Sequence, residues 1–130
     1  MTRQKQRKTV FQLIYSLNYQ GLDQKDTILE TYYSQREEQE MYPYITDTFN
    51  GVIEHWAEIN EMIEPALTKW KMKRLSAVCL AVLRLAVYEL KFNPDIPDRV
   101  AVNEAIELAK EFGDEDSGSF VHGVLGNIAK

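Results

Sequence analysis

The sequence predicts an all-α protein: a compact helical bundle in two halves, with about seven helices. Three observations lead there. Apolar residues recur at helical intervals in nearly every window, while the alternation of a half-buried strand is poorly represented. The segment 75–92, LSAVCLAVLRLAVYELKF, is apolar on all sides, so a helix formed there must be enclosed by its neighbours. Helix breakers punctuate the chain at Gly21, Pro43, the NPDIP segment and Gly113.

Each element follows in order. Between 7 and 19, Val10, Leu13, Ile14 and Leu17 form one stripe, closed by Gly21. Asp26 is expected to cap a second helix through Ile28, Leu29, Tyr32 and Tyr33, which ends in the polar run SQREEQE (34–40). Pro43 opens a long helix carrying Ile45, Phe49, Val52, Ile53, Trp56 and Ile59 on one side and continuing towards Pro65. The apolar 75–92 helix, with Arg84 as its only charge before Glu89, is the expected hub. Pro97 or Asp98 starts a helix through Val102, Ala105, Ile106, Ala109 and Phe112, which Gly113 is expected to end in a left-handed conformation. A last helix from Ser117 gathers Phe120, Val121, Val124, Leu125 and Ile128 within about 140°, at about 100° per residue, and leaves His122 on the opposite side. No repeat or flexible linker interrupts this order. Residues 1–130 therefore read as a single domain whose halves, roughly 1–65 and 66–130, share a core.

The net charge of −5 argues against a nucleic-acid partner, but its distribution does not. Arg3, Lys5, Arg7 and Lys8 give residues 1–8 a charge of +4, so the other 122 residues carry −9. Lys69, Lys71, Lys73 and Arg74 form a second basic cluster. Such a chain repels polyanions over most of its surface and attracts them at one or two places. The basic start is not followed by the apolar region and cleavage site of a secretory signal. No run of apolar residues is long enough to span a membrane. Cys79 is the sole cysteine, which fits a reducing compartment, and a cytoplasmic protein is expected.

Catalytic chemistry finds no residues to carry it. His55 and His122 have no second histidine or cysteine at ligand spacing, so no metal site is expected. The glycines form no phosphate-binding fingerprint, and DSGS lacks the strand–turn–helix context of a nucleophile elbow. Neither an enzyme nor a cofactor is expected.

The stretch 112–125, FGDEDSGSFVHGVL, offers something else. Asp114, Asp116 or Ser117 can cap the last helix, but one residue suffices for that. The remaining acids stand beside Phe112 and Phe120, a pairing of flat rings and hydrogen-bond acceptors suited to unstacked bases. On the first helix, Lys8, Phe11, Tyr15 and Tyr19 share a face apart from the core stripe. Phe11 and Tyr19 can pack against the second helix, leaving Tyr15 as the better base contact. A basic end running into an aromatic face combines phosphate attraction with stacking.

With these residues in view, the chain resembles the NusB family of transcription antitermination factors over nearly its whole length. The resemblance is strongest from LAVLRLAVYEL through DIPDRVAVNEAIELAKEFGDEDSGSFVHGVLGNIAK and weaker through RQKQRKTVFQLIYSL. It implies an all-helical RNA-binding protein without catalytic activity. Such a protein recognises the boxA element of nascent ribosomal RNA leaders together with NusE, a small-subunit ribosomal protein, and helps assemble the antitermination complex on RNA polymerase. The positions matching the family's RNA contacts are Arg3, Lys5, Arg7 and Lys8 in the arm, Tyr15 in the first helix, and Phe112, Asp116 and Phe120 in the acidic-aromatic patch. The family often has an acid where Cys79 stands, at a place linked to the NusE contact, and an asparagine where His122 stands. Gln4 and Gln6 dilute the arm. Two other readings stay open: a helical adaptor or homodimer for which RNA is secondary, and a fragment of an RNA methyltransferase, some of which carry a similar domain.

Overall fold

Thr2 starts the first helix, its Oγ1 accepting the Lys5 amide hydrogen at 3.2 Å. The structure, a computed structural model, describes residues 1–37, 41–69 and 71–129. Helix α1 (Arg3–Gln20) ends at Gly21, whose φ of 86° lies where glycine is favoured. After a 3-10 turn at Leu22–Gln24 comes α2 (Lys25–Ser34). Asp26 lies inside the first turn of α2 instead of capping it. The last three residues of the polar run after α2 lie outside the described residues.

The long helix expected from Pro43 is two helices, α3 (Pro43–Glu54) and α4 (Trp56–Ala66). The break is at His55, with φ −101° and ψ 21°, and its ring stacks on Phe92 at 3.9 Å and 13°. Bending here lets α3 lie against α1 and α5 while α4 lies against α5 and α7. One turn before the break, a Cβ on Gly51 would sit 2.3 Å from the Tyr88 ring, so Tyr88 of α5 keeps its present place against α3 only beside a glycine.

Helix α5 (Ala77–Phe92), capped by Ser76, is the hub: α1, α3, α4, α6 and α7 all pack on it. Val82, Leu83, Leu85 and Val87 are shut off from solvent. Arg84 and Glu89 of this helix are buried as well, despite their charges. Arg84 donates to Asn60 Oδ1 at 3.0 Å and lies 3.9 Å over the Trp56 ring; burial pushes its pKa down to about 10. Helix α6 (Asp98–Phe112) and α7 (Ser117–Ala129) pack against each other and complete the bundle.

Gly113 does not adopt the left-handed conformation expected of it; its φ of −98° and ψ of −163° are extended. Space explains the glycine instead. A Cβ there would meet Ser117 Oγ at 2.4 Å and the Ala109 carbonyl at 2.7 Å.

Candidate nucleic-acid interface

The basic arm does not present its cations uniformly. Arg7, expected to contact RNA, is instead buried where α1 meets α3 and α5. Its Nε donates to Glu89 Oε1 at 2.9 Å and its Nη2 to Glu89 Oε2 at 3.2 Å, while Tyr44 Oη donates to the same carboxylate at 2.9 Å. Burial opposes the charge on Arg7, but hydrogen bonding and attraction to Glu89 outweigh it and its pKa ends above the ordinary value. Arg7 is thus a structural cation, held inside because a carboxylate in an apolar core needs a charged partner.

The other three arm cations remain at the surface. Arg3 lies 4.2 Å over the Tyr44 ring. Lys5 is exposed, with no ion pair among the described residues. Lys8 Nζ is 2.8 Å from Glu111 Oε1 and 5.9 Å from the Phe112 ring centre. Lys5 and Lys8 border a groove of about 650 Å³ whose other wall, from α6, carries Glu104, Glu107, Lys110 and Glu111.

Aromatic rings continue this face. Phe112 packs on Phe11 at 4.9 Å, Phe11 is 6.1 Å from Tyr15, and Tyr15 is 5.4 Å from Tyr19. Phe11 is therefore buried with Phe112 of α6, while Tyr19 is 72% exposed and its hydroxyl meets that of Tyr15 at 3.0 Å. That hydrogen bond raises the pKa of Tyr15 above its ordinary value.

The acids before α7 divide their roles. Asp114 Oδ1 accepts from the Asp116 amide at 3.2 Å and from the Ser117 hydroxyl at 3.0 Å, and Ser117 Oγ accepts from the Asp114 amide at 3.1 Å. This reciprocal pair closes the turn. The Asp116 carboxylate is left exposed, with no partner among the described residues. It shares a hollow of about 270 Å³ with Phe120, Arg74, Ser76 and Cys79. Phe120 also borders a second hollow with Lys69 and Asn127. Cys79 is 6% exposed and lies in the first turn of α5, beside the acidic patch.

Arg3 and Arg7 turn to the Tyr44 ring of α3, and the other predicted residues fall into two groups. Lys5, Lys8, Tyr15 and Phe112 line the α1–α6 side; Cys79, Asp116 and Phe120 surround the start of α7. The short segment between Phe112 and Asp116 joins them. Arg74 and Lys69, from the second basic cluster, each border a hollow beside Phe120. Among the described residues, no group of histidine, cysteine and acidic side chains could hold a metal ion, and no helix is long and apolar enough to cross a membrane.

The model of the NusB family matches residues 4–130. The chain belongs to the NusB family. It is 39% identical to the transcription antitermination protein NusB of Agathobacter rectalis, over 99% of this chain and 100% of that protein. Among solved structures, T. maritima NusB is 37% identical and superposes with a TM-score of 0.87, covering 99% of this chain and 91% of the other. A structure of the antitermination factors NusB and NusE in complex with dsRNA contains a chain 28% identical, with a TM-score of 0.79 and coverage of 99% and 98%. The NusB fold therefore extends over the whole described bundle, including both residue groups.

Proposed function

We propose that this chain is an RNA-binding transcription antitermination factor of the cytoplasm. It recognises a boxA-like element of nascent ribosomal RNA leader together with NusE and helps assemble the antitermination complex on RNA polymerase, without catalysing a reaction. Arg3, Lys5 and Lys8 attract the phosphate backbone, and Tyr15, Phe112 and Phe120 offer rings to splayed bases. Asp116 accepts from a base amino group. Cys79, in the hollow beside it, lies where the NusE contact is proposed.

The observation that carries this reading is the segment from Phe112 to Phe120. Capping engages Asp114 and Ser117 and leaves the Asp116 carboxylate and the Phe120 ring in one hollow with Arg74. A carboxylate repels phosphate, so beside an open ring it favours base edges over backbone. The test is titration of fluorescent boxA-containing RNA, single-stranded and as a duplex, with this protein alone and then with NusE. Binding of the single strand that tightens with NusE is expected. Absence of binding under both conditions overturns the reading, and preference for the duplex overturns its base-contact part.

One observation favours a second reading, an adaptor or homodimer for which RNA is secondary: Arg3, Arg7 and Lys8 all have partners within the chain. Light scattering with and without NusE separates the two. A stable dimer, or a NusE complex with no RNA affinity, supports the adaptor.

A further inference from the structure

The acidic wall of the α1–α6 groove stands against the surface that RNA would approach. Glu104, Glu107 and Glu111 follow helical spacing along α6, and two of them reach the arm directly. Gln4 Nε2 donates to Glu104 Oε1 at 3.1 Å, and Lys8 Nζ meets Glu111 Oε1 at 2.8 Å. We propose that Glu111 is an affinity-setting residue: its carboxylate holds Lys8 in the free protein, and an RNA phosphate engages Lys8 only by displacing it. The proposal rests on the RNA-binding reading above and adds a competitor built into the chain.

The geometry supports displacement. The Lys8 and Glu111 side chains are 40% and 50% exposed, so a phosphate can reach the ammonium from solvent. The pair joins α1 to α6 across 103 residues of sequence, and Lys8 also lies near the Phe112 ring, where a stacked base would bring its own phosphate. Phosphate and carboxylate oxygens then compete for one compact point charge. A strong latch is not required, because exposed pairs are weak and the expected effect is only about two- to fivefold.

The test compares Glu111→Gln with Glu58→Gln in the full-length protein. Glu58 pairs with His55, away from the groove, and its substitution changes the net charge equally. Glu111→Gln is expected to tighten binding to single-stranded leader RNA by about two- to fivefold, with Glu58→Gln unchanged. Lys8→Ala should then cost more affinity in the Glu111→Gln background than in the wild type, since only there is Lys8 free beforehand. Equal gains from both glutamine variants, or additive Lys8→Ala losses, would overturn the proposal. Elution from immobilised heparin reads the same latch without RNA: Glu111→Gln should elute at higher salt than wild type and Glu58→Gln with wild type. No difference there also overturns it. Failure of the wild type to bind RNA, with the heparin shift intact, overturns only the RNA reading.

Discussion

Arg7 Nε lies 2.9 Å from Glu89 Oε1, and both side chains are almost wholly removed from solvent. The pair ties the second turn of α1 to the hub helix, and the Tyr44 hydroxyl brings α3 into the same junction. A buried charge that loses its partner retains its desolvation cost. Arg7→Ala or Glu89→Ala should therefore destabilise the fold by about 3–5 kcal/mol, read from the midpoint of urea unfolding. Replacing both with methionine should cost less than either alanine variant, because no orphan charge remains.

The burial of Arg7 also changes the electrolyte behaviour expected of the arm. Four cations contacting phosphates on single-stranded RNA would give a log–log salt slope near −3, at about −0.7 per contact. With Arg7 inside, Arg3, Lys5 and Lys8 remain, and the slope should be near −2. Titrations between low and moderate salt measure it. A slope near zero would remove the electrostatic part of the mechanism, and one near −3 would require a further cation, for which Arg74 and Lys69 beside Phe120 are placed.

The sequence held more of this than charge counting extracted. Arg7 precedes Val10 by three residues and Ile14 by seven, which puts it on the core stripe of α1. Glu89 is the only acid in an apolar helix and so needs a cation. Those two facts together point to the pair. The break at His55 left no comparable sign, because the apolar stripe from Ile45 to Ile59 keeps helical spacing across it; the cause is tertiary, the stacking on Phe92 and the different neighbours of α3 and α4. The hub helix and the Phe112–Phe120 turn were legible because burial on all faces and surplus capping residues are local properties. The adjacency of Arg74 and Cys79 to Asp116 was not, since it depends on how α5 meets α7.

The glycines yield a paired prediction on stability. Gly113→Ala would bring its Cβ against Ser117 Oγ and the Ala109 backbone, so it should destabilise by about 1–3 kcal/mol and disturb the turn that presents Asp116. Gly126 lies within α7, and a methyl group added there would meet nothing within 4 Å, so Gly126→Ala should stabilise by about 0.5–1 kcal/mol. Thermal unfolding of the two variants should move in opposite directions. RNA affinity should fall only for Gly113→Ala.

Phe120 separates the recognition mechanism from simple packing. Its neighbours Val121, Val124 and Leu125 are buried, but Phe120 itself is half-buried and borders two hollows, each with a cation. If a base stacks on the ring, Phe120→Ala should lose about 1–3 kcal/mol of RNA binding while circular dichroism shows unchanged helicity. Phe120→Tyr, which keeps the π-face, should retain most of the affinity. Asp116→Asn provides the complementary measurement: removing the negative charge while keeping an acceptor should raise affinity for a homopolymer more than for boxA RNA. Equal gains for both RNAs would mean that Asp116 acts by repelling phosphate alone and reads no base.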